Sequence, residues 1–263
     1  MNLTRRDTLI LAGAASAASL AGLGTANAAD GDMMDLAKLM APAGLPDKVL
    51  GSPMAKVTMI EYASPTCPHC ALFSTSIFPD FRTQYVDTGK VKFIMRPFVR
   101  NVLDAVVFML AEAAANNASG AAAAPATTPA AGATEVPPAN AMAATTPAAP
   151  AAATPAPAAD PQAGIEAYHM VVATFFKTQD QWETAPKPRD AILVIAKQLG
   201  FTEETFDAAL TNQDLFKGME TLRDQAVNDF KLEGTPTFYI NGKQLTGEKT
   251  VAELSAEIDP LLA

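Results

Sequence analysis

The chain has 263 residues, enough for one or two domains, and a formal net charge of −9. An acidic body excludes a nucleic-acid binder, which needs a basic footprint. The 49% apolar fraction overstates the core, because alanine inflates it.

Residues 1–28 read as a signal peptide. Arg5-Arg6 precede an apolar run from Leu9 to Leu23, and Ala26-Asn27-Ala28 supply an A-x-A cleavage site. Thr4-Arg5-Arg6 resembles the start of a twin-arginine signal, although Thr8 stands where that motif has a bulky apolar residue. A general secretion signal fits nearly as well. Either route predicts a periplasmic mature protein, in surroundings where disulfides persist.

Residues 29–52 form an N-terminal lead-in, with Met33, Met34, Leu36, Leu39 and Met40 along one side of a short helix. Val57 to Tyr62 reads as a buried strand interrupted by Glu61, and Ser64-Pro65-Thr66 is turn chemistry. From Pro68 the apolar residues recur at helical spacing as far as Tyr85. Pro79 should kink that helix. Val91 to Met95 is a second strand, so the order predicts a parallel β-α-β unit with a right-handed crossover.

A helix follows from Leu103 to Ala115. Residues 118–163 then hold 22 Ala and 9 Pro. Such a segment lacks the apolar surface to offset the entropy of ordering, and it predicts a disordered loop. Order resumes near Ile165, with helices through Phe176, over 187–199 and over 203–231. Thr202 followed by two glutamates marks one helix start. Thr237 to Leu245 reads as a hairpin turning at Asn241-Gly242. Thr250 and Glu253 form a capping box for a last helix.

Cys67-Pro68-His69-Cys70 holds the only two cysteines. A thiolate is the nucleophile in disulfide exchange, and a helix N-terminus favours its negative charge. His69 adds a donor or partial positive charge, and Pro68 removes an N–H that a helix start can spare. Cys70, one turn on, would resolve the exchange. Structural zinc needs four ligands, and His69 lies between the cysteines, poorly placed to join them. Covalent haem attachment needs a His directly after the second Cys, where Ala71 stands. An inert structural disulfide is the plain alternative. His169 reads as a helix-surface or core residue without a role.

Glu61, Cys67-Pro68-His69-Cys70 and Gly234-Thr235-Pro236-Thr237-Phe238 together resemble the DsbA-like branch of the thioredoxin superfamily. The resemblance covers residues 45–117 and 164–263. It implies an α/β thioredoxin fold in two parts, 53–98 and 234–263, around an inserted helical domain at 99–233. It implies catalysis by Cys67 and Cys70, tuning by His69, proton relay by a buried Glu61, and substrate binding by Thr235 beside a cis Pro236. It also implies a thiol–disulfide oxidoreductase that needs no cofactor or metal beyond a Cys67–Cys70 disulfide. Its partners would be reduced or unfolded exported proteins and a quinone-linked membrane reoxidant of the DsbB kind. Thr before the cis-proline is common in isomerases of the superfamily, so a reductase or isomerase kept reduced is a second expectation. Those isomerases generally add a dimerisation domain, for which residues 30–52 are too few, which favours a monomeric oxidase. A peptide-binding or chaperone module with a structural disulfide is a third.

Overall fold

The computed structural model describes residues 30–120 and 159–263. The expected signal peptide and residues 121–158 of the Ala/Pro-rich segment lie outside them. The ends of that segment depart from the expectation. Ala118 closes helix α4 (Val102–Ala118), and 161–163 form the first turn of α5 (Pro161–Lys177). Asp160 caps α5 by accepting from Gln162 and Ala163, and Pro161 occupies a first-turn position that needs no N–H.

Five strands form one sheet in the order β1 (Val49–Leu50), β3 (Val91–Pro97), β2 (Val57–Ala63), β4 (Thr237–Ile240) and β5 (Lys243–Thr246). β2 and β3 run parallel, as the β-α-β reading requires, and the other pairs are antiparallel. Glu61 does not interrupt β2. It pairs with Met95 and Phe238, and all seven residues of the strand are buried. Strand alternation puts Glu61 on the face of Met59 and Ala63, beneath the cysteine helix, while Ile60 and Tyr62 face the other way.

The connection between β2 and β3 is α2 (Pro68–Leu72), a π-turn (Phe73–Ile77), α3 (Phe78–Phe81) and a second π-turn (Arg82–Val86). The break expected at Pro79 takes the form of the wide turn before it. There the Phe78 N–H reaches back to the Phe73 carbonyl, because Pro79 has no N–H to offer. The lead-in helix is one turn, α1 (Leu36–Leu39), capped by Asp35. Leu39 alone of its residues is buried, and Met33 is exposed beside β5 instead.

Between β3 and β4 lie α4, α5, α6 (Gln179–Trp182), α7 (Pro188–Gln198), α8 (Glu203–Leu210) and α9 (Gln213–Asn228). The single run read over 203–231 is two helices. Asn212 breaks it, because its side chain accepts from Leu215 and caps α9. Gly164 lets α5 press on α4: a Cβ there would lie 2.8 Å from the Ala115 carbonyl oxygen. The β4–β5 turn has φ of 46° at Asn241 and 97° at Gly242, the two positive values that an Asn-Gly hairpin accommodates. Thr250 and Glu253 form the expected capping box of α10 (Val251–Leu262).

The stretch before α1 lies along the outer edge of β5. Gly31 N–H donates to Gln244, Gln244 N–H to Asp32 and Met34 N–H to Gly242, at 2.7 to 2.8 Å. His169 is buried, with Nε2 3.3 Å from the Lys48 carbonyl oxygen, and burial holds its pKa down to about 4. Among the described residues no helix is long and apolar enough to cross a membrane.

Candidate active site

Cys67 is the N-cap of α2, with extended backbone, so its side chain sits at the helix's positive end. The turn before it is held from below. Asp104, fully buried in the first turn of α4, accepts from the Ser64 hydroxyl, the Thr66 N–H and the Arg100 N–H, each at 2.8 Å. Arg100 and Asn101 donate to the Ser64 and Thr66 hydroxyls from the same loop. The Cys67 N–H then donates to the Ser64 carbonyl at 2.9 Å. This anchor escaped the sequence reading. An acid at a helix start looks like a complement to the dipole, and its hydrogen bonds to residues 40 positions earlier leave no local trace.

Cys67 and Cys70 are thiols, 2% and 0% exposed. The Cys67 thiol donates to the Thr235 carbonyl oxygen at 3.1 Å, and the Thr235–Pro236 peptide is cis. The site therefore brings together the two parts of the chain on either side of the helices.

The two sulfurs are electrically unlike. The Cys67 pKa is lowered to about 5, first by a hydrogen bond from the Cys70 thiol. The Thr235 side chain and the N–H groups of Cys70 and His69 add to this, against the opposing effect of burial. The buried Thr235 hydroxyl has no hydrogen-bond partner among the described residues, which leaves it able to donate to a thiolate at Cys67. Burial pushes the Cys70 thiol well above the ordinary range, with further contributions from Cys67 and Glu61.

Glu61 is fully buried, and neither carboxyl oxygen has a hydrogen-bond partner among the described residues. Burial, with the Cys67 charge, raises its pKa to about 8, so the carboxyl carries its proton at neutral pH. His69 stands apart from this buried group. Its ring is on the surface, where Nδ1 pairs with the Glu248 carboxylate, and that hydrogen bond raises its proton affinity. Glu248 was not anticipated, because 179 residues separate the two.

Comparisons with known proteins find the same fold. A family model described as thioredoxin matches residues 45–136 and 139–260. A Rickettsia bellii protein named "Putative protein-disulfide oxidoreductase" is 24% identical over 213 residues, covering 81% of this chain and 63% of its own length. The chain thus spans under two thirds of the length of such curated relatives. Alpha-DsbA1 of Wolbachia pipientis superposes with a TM-score of 0.61 at 22% identity, over 83% of this chain and 92% of its own. A protein-disulfide isomerase from Novosphingobium aromaticivorans does so at 0.56 and 22%, over 84% and 98%. At such identities the likeness is one of fold.

Proposed function

The chain belongs to the thioredoxin family, and from that premise we propose that it is a periplasmic oxidase that donates a Cys67–Cys70 disulfide to exported proteins. The observation that supports this most is the pairing of two unlike thiols at one helix start, one ionised near pH 5 and one held protonated, beside the Thr235 carbonyl. A stabilised thiolate favours the reduced enzyme, which makes its disulfide an oxidant.

In the forward reaction a substrate thiolate attacks the Cys67 sulfur of the disulfide. The bond to Cys70 breaks, and Cys70 leaves with the electron pair. A leaving thiolate of such high proton affinity needs a proton, and protonated Glu61 is the buried acid beside it. A second substrate thiolate then attacks the substrate sulfur of the mixed disulfide and releases Cys67 as a stable thiolate. The substrate loses two electrons and two protons in all. The enzyme takes both electrons and keeps one proton, as the Cys67 thiolate and the Cys70 thiol, while the other proton goes to solvent and solvent restores the proton on Glu61. A membrane partner of the DsbB kind would take the two electrons to quinone. No other cofactor enters, and one copy of the chain contains every group used.

The test is direct. Oxidised protein mixed with a reduced, unfolded substrate should form disulfides faster than glutathione alone, and Cys67→Ser should abolish this. An unchanged rate would refute the oxidase reading. Thr235 favours a second reading, a reductase or isomerase. The state of the pair in cells separates the two: oxidised at steady state for the first, reduced for the second. A chaperone with an inert disulfide would keep its activity in Cys67→Ser.

A further inference from the structure

Glu248 lies in the short connection between β5 and α10, and that connection touches both halves of the site. The Gly247 N–H donates to the Pro236 carbonyl at 2.9 Å, and the next residue's carboxylate holds His69 Nδ1. The following residue, Lys249, is turned away, with Nζ on the Thr246 carbonyl and 3.9 Å from Asp30. The carboxylate is therefore the charge this connection presents to the cysteine helix.

An imidazolium beside a thiolate stabilises it. An imidazolium already paired with a carboxylate is a nearly neutral unit with a weak field beyond its own contact. The His69 backbone N–H, at the helix start, favours the Cys67 thiolate, while its ring is spent on Glu248. His69 is proton-rich throughout the range in which Cys67 ionises. Glu248 thus decides where that positive charge acts, not whether it exists.

We propose that Glu248 is a positioning residue that sets how much of the His69 charge reaches the Cys67 sulfur, and thereby restrains the oxidising strength of the pair. This rests on the redox reading above. Both side chains are about half exposed, so the effect is modest and sensitive to salt.

The test is a double-mutant cycle read at the sulfur. In Glu248→Gln, ultraviolet titration of the reduced protein should show the Cys67 midpoint lowered, with the thiolate-to-thiol ratio at pH 5 up by about twofold. The equilibrium with glutathione should move by a similar factor toward the reduced protein. In a His69→Ser background the same substitution should change neither. An unmoved or raised midpoint would overturn the proposal, and so would an equal shift in both backgrounds. Wild-type oxidation of a reduced substrate, assayed alongside, keeps the two ideas apart. If the wild type oxidises its substrate while the cycle is flat, only the role of Glu248 fails. If the wild type does not oxidise, the redox reading fails and takes this inference with it.

Discussion

The Cys67 thiol and the Thr235 carbonyl oxygen meet at 3.1 Å although 168 residues separate them in the chain. Every helix from α4 to α9 lies within that interval. The two residues meet because β2 and β4 are neighbours in the sheet, with Tyr62 opposite Thr237, so that the C-terminal end of β2 lies beside the N-terminal end of β4. Strand register therefore assembles the site, and the helices are built around it.

Titration of the reduced protein should show one thiol ionising near pH 5 and the other staying protonated beyond the free-thiol range. Cys67→Ser should remove the lower step and Cys70→Ser should keep a single step. The Cys67 pKa is depressed in the fold, so its contribution is fully present above the unfolded value of 9.0 and is lost as pH falls through about 5. Between those limits the reduced form should gain on the oxidised form by up to about 1.4 kcal/mol per pH unit. Denaturation of both forms across that range measures it.

Glu61→Gln should separate stability from chemistry. The Glu61 pKa is raised from 4.5 to about 8, so between these values the folded chain keeps a proton that the unfolded chain has lost. That lowers stability as pH rises. The amide removes the effect and should stabilise the protein by about 4 kcal/mol at pH 8, with the gain fading toward pH 4.5. Release of Cys70 from the disulfide should slow at the same time, which stopped-flow oxidation of a model dithiol can read.

Asp104→Asn should cost about 2 kcal/mol in urea denaturation. The carboxylate accepts three hydrogen bonds, two on one oxygen and one on the other. An amide must turn an N–H toward one of those donors. A loss below 0.5 kcal/mol, roughly the least that a buried hydrogen bond contributes, would show that the turn before Cys67 does not depend on it.

Gly164→Ala tests the seat of α5 on α4. Alanine is the better helix former by roughly 1 kcal/mol, yet its methyl would lie 2.8 Å from a backbone oxygen that cannot swing away. Overpacking should prevail, with a net loss of about 1 kcal/mol by thermal denaturation.

Strands β2 to β5, the parallel crossover, the Asn-Gly hairpin and the last capping box were legible because each is written within a few consecutive residues, whereas β1, two residues inside the expected lead-in, was not read as a strand. The pair Cys67 and Cys70 was legible through its spacing, while Pro236 came only through the family resemblance. Glu61 was legible as a residue but misleading as a strand element. A charge inside an apolar run reads as a break, whereas here the carboxyl is buried and protonated. Asp104 and Glu248 were illegible for one reason. Each acts on a residue that chain folding brings near, and nothing in their own neighbourhoods marks them. The break at Asn212 was hidden because the apolar pattern runs on through it, while only its side chain, turned to the Leu215 N–H, shows the cap.

The backbone from Asp30 to Met34 has one more consequence. By filling the hydrogen-bonding positions of β5 it leaves no bare rim on that side for a stranger's polypeptide to zip onto. A protein whose proposed clients are unfolded chains meets sticky extended segments at every turnover. Trimming the polypeptide to begin after Met34 should therefore show itself first as clumping in the presence of such clients, before any change at the sulfurs.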